Sequence, residues 1–295
     1  MEHNPDPATP AVRIFRRSRI PAVNVATVPQ RSPLRYPGGK TWLVPHIRKW
    51  LEEPVDLLVE PFAGGGIVSL TAVMEGLAAR AVMIELDRDV AAFWRAALEH
   101  TEELIERIHS FSPTRSHVER IARKVPLSVL DHGFRTLVLN RTRRGGILAP
   151  GASFIRNGEN GNGICSRWYP DTLVRRLQDI ARHSDKLLFF EGDGMRMLEL
   201  LCDQVDAAVF VDPPYTAVAG EQAGSRLYTH NSVDHARIFA VLAASQADFL
   251  MTYDYSPDIV SLVRQHKFHG ALVEMKSTHH LTIPELLITR RKLFT

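Results

Sequence analysis

A chain of 295 residues, 45% hydrophobic and 23% charged, has ordinary globular composition and can bury one large core or a core with a sizeable insertion. A formal net charge of +3 permits a polyanionic partner without requiring one. Two cysteines, Cys165 and Cys202, exclude a disulfide framework and a cysteine metal site and point to a reduced, cytoplasmic setting. No apolar stretch approaches the length of a membrane span, and the N-terminus lacks a signal-peptide layout. The histidines are scattered, with only His279 and His280 adjacent; they read as surface or loop residues, so no metal is expected.

Residues 1–30 read as a disordered basic tail, proline-rich from Met1 to Pro10 and followed by Arg13, Arg16, Arg17 and Arg19. Strands then alternate with helices. Asp56 to Glu60 is an expected strand, Ile67 to Gly76 a helix, Ala81 to Glu85 a strand and Asp89 to His100 a helix. Leu187 to Glu191, Ala207 to Val211 and Phe249 to Thr252 are further apolar strands, and Pro257 to Gln265 a helix. Ala271 to Met275 and Leu286 to Thr289 suggest two closing strands joined by a loop. The alternation predicts an α/β fold, a Rossmann-like open sheet, mostly parallel, with helices on both faces.

Residues 101–185 break that rhythm. Helical patterns over Thr101 to Phe111 and His117 to Ala122 give way to Asn140 to Trp168, which is rich in Gly, Asn and Arg and poor in core residues. A structureless loop of that length is unusual inside a compact domain. Residues 101–185 are therefore expected to form an inserted functional region, with residues 31–100 and 186–295 as the catalytic domain. Arg141, Arg143, Arg144, Arg156 and Arg167 suit a surface that touches phosphates and base edges. Arg141, Arg143 and Arg144 are the candidates for base or phosphate contact.

Three turns carry chemistry. Leu58 to Gly66 is a strand entering a glycine-rich turn, where Phe62, Gly64 and Gly66 let a ligand approach the backbone. Glu85 ends the next strand, the interval at which dinucleotide-binding folds place a ribose-binding carboxylate. Arg35 to Lys40 is a second glycine-rich turn, lacking the full spacing of a phosphate loop. The most informative run is Val211-Asp212-Pro213-Pro214-Tyr215. The prolines stop the strand and remove two backbone donors. An anionic acceptor, a carbonyl acceptor and a flat ring then form a cup suited to a flipped-out base with an exocyclic amine. Tyr228 lies in a polar loop downstream, as a target-pocket residue or an ordinary loop aromatic. Thr252-Tyr253-Asp254 ends the next strand at the same sheet edge and takes no role.

Asp212-Pro213-Pro214-Tyr215 resembles the catalytic loop of DNA adenine N6-methyltransferases. Phe62-Ala63-Gly64-Gly65-Gly66 resembles the Phe-x-Gly-x-Gly turn of adenosylmethionine-dependent methyltransferases. Gly38-Gly39-Lys40 resembles the N-terminal element of the Dam-like family. Their order matches the alpha group of amino-methyltransferases, from about Pro33 to the C-terminus. The resemblance implies S-adenosylmethionine as cofactor and double-stranded DNA as partner, with a cognate restriction endonuclease as a possible second one. It also implies that Tyr36 and Lys40 contact the methionine moiety, that Glu60 lies near the sulfonium, and that Asp193 accepts from the cofactor's adenine amine. Leu139-Asn140-Arg141 and Arg167-Trp168-Tyr169-Pro170 look like the family's target-recognition segment. After Arg141 the run Thr142-Arg143-Arg144-Gly145-Gly146 replaces its usual aromatic-and-Asn stretch, so the resemblance does not carry a GATC-type site over to this chain. The implied activity is site-specific transfer of a methyl group to a flipped-out adenine. The rivals are the same chemistry on RNA, a non-catalytic nucleic-acid-binding protein on the same fold, and an adenosylmethionine enzyme acting on a small molecule.

Overall fold

The central strands read as unbroken apolar runs because both their faces are covered. The computed structural model describes residues 19–20, 23–35, 38–158, 161–201, 207–214, 233–276 and 282–294. Residues 1–18, Tyr36, Cys202, Tyr215, Tyr228, His279 and His280 lie outside them.

The strands are β1 (Arg19–Ile20), β2 (Val55–Glu60), β3 (Ala78–Glu85), β4 (Leu187–Glu191), β5 (Ala207–Val211), β6 (Asp248–Asp254), β7 (His269–Lys276) and β8 (Thr282–Thr289). Among the described residues they form one sheet of order β1-β7-β8-β6-β5-β2-β3-β4. All neighbouring pairs are parallel except β6–β8 and β7–β8. The chain runs outward from β2 through β3 to β4, then returns to β5 on the other side of β2. That reversal makes the β2–β5 boundary the topological switch point, where open α/β sheets bind ligands beyond the carboxyl ends of their strands.

The helices are α1 (Val44–Trp50), α2 (Ile67–Met74), α3 (Arg88–Glu99), α4 (Thr101–Ser110), α5 (Arg115–Arg123), α6 (Val129–Thr142), α7 (Pro170–Ala181), α8 (Gly194–Leu201), α9 (His235–Ala244) and α10 (Pro257–Gln265). Alternate strand residues feed two cores. Leu58, Met83 and Phe210 pack on one face with α1 to α7. Val59, Val209 and Val211 pack on the other with α8, α9 and α10.

Within residues 101–185, helices α4 to α7 send Leu104, Ile108, Val118, Leu137 and Leu177 into the first of these cores. This region is thus an outer helical layer, and the expected loop from Asn140 begins inside α6. The helix went unread because its buried positions mix Gly133, Thr136, Asn140, Arg141 and Thr142 with Leu137, Val138 and Leu139, which leaves no clean apolar stripe. Gly133 lets α6 close on α3, since a Cβ there would lie 2.7 Å from the Ala92 carbonyl oxygen.

The N-terminal boundary also needs correcting. Within the expected tail, Arg19–Ile20 pairs with β7 and Val28 is buried in the core. Apolar anchors at Ile20 and Val28 hold a segment whose overall composition is polar.

Candidate active site

Glu60 ends β2, and the chain turns through Pro61 to Gly66 into α2. Gly66 has φ +62°, and a Cβ there would meet Met83 Cε at 2.5 Å and Trp94 Cζ2 at 2.7 Å. The turn is pinned from both sides. The Gly64 amide donates to Glu85 Oε2 at 2.8 Å, and Trp94 Nε1 donates to the Gly64 carbonyl at 2.8 Å. Glu85 Oε1 accepts from the Asp87 amide at 2.9 Å. Glu60 accepts from the Ser69 amide at 3.0 Å and from the Ser69 hydroxyl. Burial pushes the Glu60 carboxyl up to about 8, against the Ser69 hydrogen bonds. Burial likewise pushes Glu85 up to about 7, against the amides of Asp87 and Gly64. Asp193 follows β4, is exposed, and accepts from the Met195 amide at 2.9 Å at the start of α8.

Across the switch point stands Asp212, directly after β5. Its Oδ1 accepts from the Thr252 hydroxyl at 2.8 Å and meets the Lys40 ammonium at 2.9 Å. Lys40 Nζ also lies 3.1 Å from Glu285 Oε1 and donates to the Gly38 carbonyl at 3.0 Å. Lys40 is 4% exposed and Glu285 2%. Burial pushes Glu285 up to about 7, and Lys40 opposes the shift. Lys40, expected against the cofactor's methionine moiety, here ties the N-terminal element to the Asp-Pro-Pro turn. Glu285 and Thr252 were missed as site residues. Thr252 was seen at the sheet edge, and the signal for Glu285 is a lone acid at the head of the apolar run Leu286-Leu287-Ile288.

One cavity of about 750 Å³ unites both halves. Lys40, Glu60, Phe62, Gly64, Gly66 and Glu85 line it, as do Asp193, Asp212, Pro213 and Pro214. Tyr36 and Tyr215 fall outside the described residues.

The basic segment divides. Asn140 is fully buried: it accepts from the Arg35 amide at 2.8 Å and donates to the carbonyls of Arg35 at 3.0 Å and Gly146 at 2.9 Å. It holds two loops together, so its expected role in touching DNA is corrected. Arg143 is half-buried, donates to the Leu148 carbonyl at 2.8 Å and stands 5.9 Å from the Phe154 ring centre. It braces that loop, and its expected contact with bases or phosphates stays a proposal. Arg144 and Arg167 line a second hollow of about 600 Å³ with Arg156 and Phe154. Arg141 is 4% exposed yet lines the main cavity. Tyr228 lies outside the described residues.

Residues 36–120 match the sequence model of the D12 class N6 adenine-specific DNA methyltransferases. No curated protein matches the chain. In fold, the chain is similar to the precorrin-6y C5,15-methyltransferase of Geobacter metallireducens, at 10% identity over 85% of this chain and 87% of that one, with a TM-score of 0.37. It is also similar to a protein of Pyrococcus horikoshii described as an RNA methyltransferase, at 10% identity over 92% and 95%, with a TM-score of 0.43.

The match over residues 36–120 supports the Dam-like resemblance and, with it, S-adenosylmethionine as the methyl donor. The cavity fits that donor. Carboxylates at the ends of three adjacent parallel strands suit a cationic ligand with a polyol, and the glycine turn leaves room for close approach. Among the described residues no group of His, Cys, Asp and Glu could hold a metal ion, and no helix is long and apolar enough to cross a membrane.

Proposed function

We propose that this chain is a site-specific DNA adenine N6-methyltransferase that acts on a base flipped out of double-stranded DNA. The observation that carries the reading is the meeting of Asp212, Pro213 and Pro214 with the glycine turn in one cavity at the switch point. On this reading Glu60, Phe62, Gly64, Gly66, Glu85 and Asp193 bind the cofactor, with Tyr36 and Lys40 bordering its methionine end. The bound cofactor supplies an activated methyl on a sulfonium.

The exocyclic N6 of adenine is a poor nucleophile because its lone pair is delocalised into the ring. Asp212 and the Pro213 carbonyl accept its two N–H bonds, which draws the nitrogen toward sp³ and turns its lone pair to the methyl. The protein contributes placement and electrostatics, with no covalent step of its own. The two donors on Asp212 Oδ1 fix the carboxylate plane. Tyr215 stacks on the extruded base, a contact worth about 1–3 kcal/mol, against the few kcal/mol that flipping costs. Residues 101–185 serve as the target-recognition region, with Arg141, Arg143, Arg144 and Arg167 toward the DNA. The setting is cytoplasmic, and a cognate restriction endonuclease is the partner such a modification serves.

Methyl-labelled cofactor offered with duplex DNA, single-stranded RNA and no acceptor tests the reading. Label recovered as N6-methyladenine from DNA supports it. Label in RNA moves the substrate to RNA. DNA binding with no transfer to either indicates a non-catalytic binding protein.

A further inference from the structure

The cavity is lined by arginines as well as by the carboxylates described above. Arg35, Arg141 and Arg176 line it, as do Tyr169 and Thr172. The three arginines come from the loop before Lys40, the last turn of α6 and the middle of α7. Arg141 is the most deeply set, and its Nε has no hydrogen-bond partner. Burial pushes its guanidinium down to about 9, and the charges of Arg176, Arg35 and Arg167 push in the same direction. Arg176 donates to the Ser32 carbonyl at 2.7 Å, which restrains it near enough to Arg141 for their charges to interact. A buried guanidinium surrounded by like charges is costly unless something compensates it. The C-terminal end of α6 offers about half an elementary charge, less than the unit charge of the Arg141 guanidinium.

We propose that Arg35, Arg141 and Arg176 form an oxyanion subsite in the cavity wall, which takes a phosphodiester of the strand that delivers the target base. This rests on the nucleic-acid reading above. A phosphate matches the planar, bidentate fork of arginine. Converging guanidinium groups suit a backbone bearing one charge per nucleotide better than a single carboxylate. The subsite lies in the same cavity as Asp212, so it would fix the strand next to the extruded nucleotide. It carries no sequence information, which leaves base reading to other residues.

The test uses the full chain and its Arg141→Gln and Arg176→Gln variants. Binding of a fluorescent DNA duplex is measured against salt, and binding of S-adenosylhomocysteine by calorimetry. Each variant is expected to lose about ten-fold or more in DNA affinity. Its salt slope should fall by about one, with the affinity for S-adenosylhomocysteine kept. Loss of S-adenosylhomocysteine binding with DNA affinity intact would overturn the assignment and give the arginines to the cofactor's own carboxylate. If Arg141→Gln fails to fold, the half-buried Arg176→Gln decides alone. Equal DNA affinity in the original chain and the variants overturns the subsite only. An unsubstituted chain that binds no DNA at low salt overturns the reading beneath it as well.

Discussion

At the residue scale, the site depends on how a few buried charges are held. Lys40 sits between Asp212 and Glu285 with almost no contact with water. Breaking a buried pair by removing one partner typically costs about 3–5 kcal/mol, because the remaining charge loses its compensation. Glu285→Ala is expected to destabilise toward the lower end of that range, since Lys40 keeps Asp212; a denaturation midpoint unchanged from the parent chain would contradict this. Asp212→Ala should lower methyl transfer by about 10²-fold or more while S-adenosylhomocysteine still binds, which calorimetry and a transfer assay on one preparation would separate. Gly66→Ala forces a left-handed backbone on a residue whose new Cβ meets Met83 and Trp94. A loss of about 2–5 kcal/mol in unfolding free energy follows. Much of this was legible: Glu60, Glu85 and Asp212 stand out as acids closing apolar strands. Glu285 escaped because its role depends on an antiparallel partner, β6, that brings it to Lys40 from far along the chain.

At the element scale, strands were read more reliably than helices. β5 begins and ends where its apolar run does, since a strand covered on both faces has no polar side to blur its limits; β4 also keeps its expected limits although it is an edge strand that leaves Leu188 and Phe190 exposed. α6 shows the opposite case. It buries glycine, threonine, asparagine and arginine together with Leu137, Val138 and Leu139, so no clean apolar stripe marks it, and its C-terminal turn was read as the start of a loop. The correction changes the function assigned to that turn: Asn140 fastens loops, Arg143 braces one, and Arg141 faces the cavity. Close packing of α6 on α3 depends on Gly133, and Gly133→Ala should cost about 1–3 kcal/mol through overpacking. A thermal melt at parental temperature would show that the helices can part without penalty.

At the scale of the whole molecule, the sheet order puts the glycine turn and the Asp-Pro-Pro turn on either side of one boundary. The open, mostly parallel sheet was expected from strand alternation, while the strand order that sets these turns side by side was not, nor was the cationic lining of the cavity, because its arginines lie in three segments that only packing brings together. The buried acids give the molecule a pH signature. Glu60 and Glu85 have folded values of about 8 and about 7 against an ordinary 4.5. A raised folded value means that the native state holds protons which the unfolded chain releases. The associated stability is complete below about pH 4.5 and is lost as pH rises through 7 and then 8. The unliganded chain should melt at a lower temperature near pH 9 than near pH 6, and Glu60→Gln should flatten that slope. Cationic cofactor favours the ionised acids, so its affinity should rise over the same interval, with proton release measurable by calorimetry in buffers of different ionisation enthalpy.

The most direct measurement is expression of the chain in a host that lacks adenine methylation, followed by single-molecule sequencing of the host genome, with Asp212→Ala alongside. N6-methyladenine confined to one short motif and absent from the Asp212→Ala culture is the predicted result. A folded chain that binds S-adenosylhomocysteine yet leaves every adenine unmodified would contradict DNA adenine methylation.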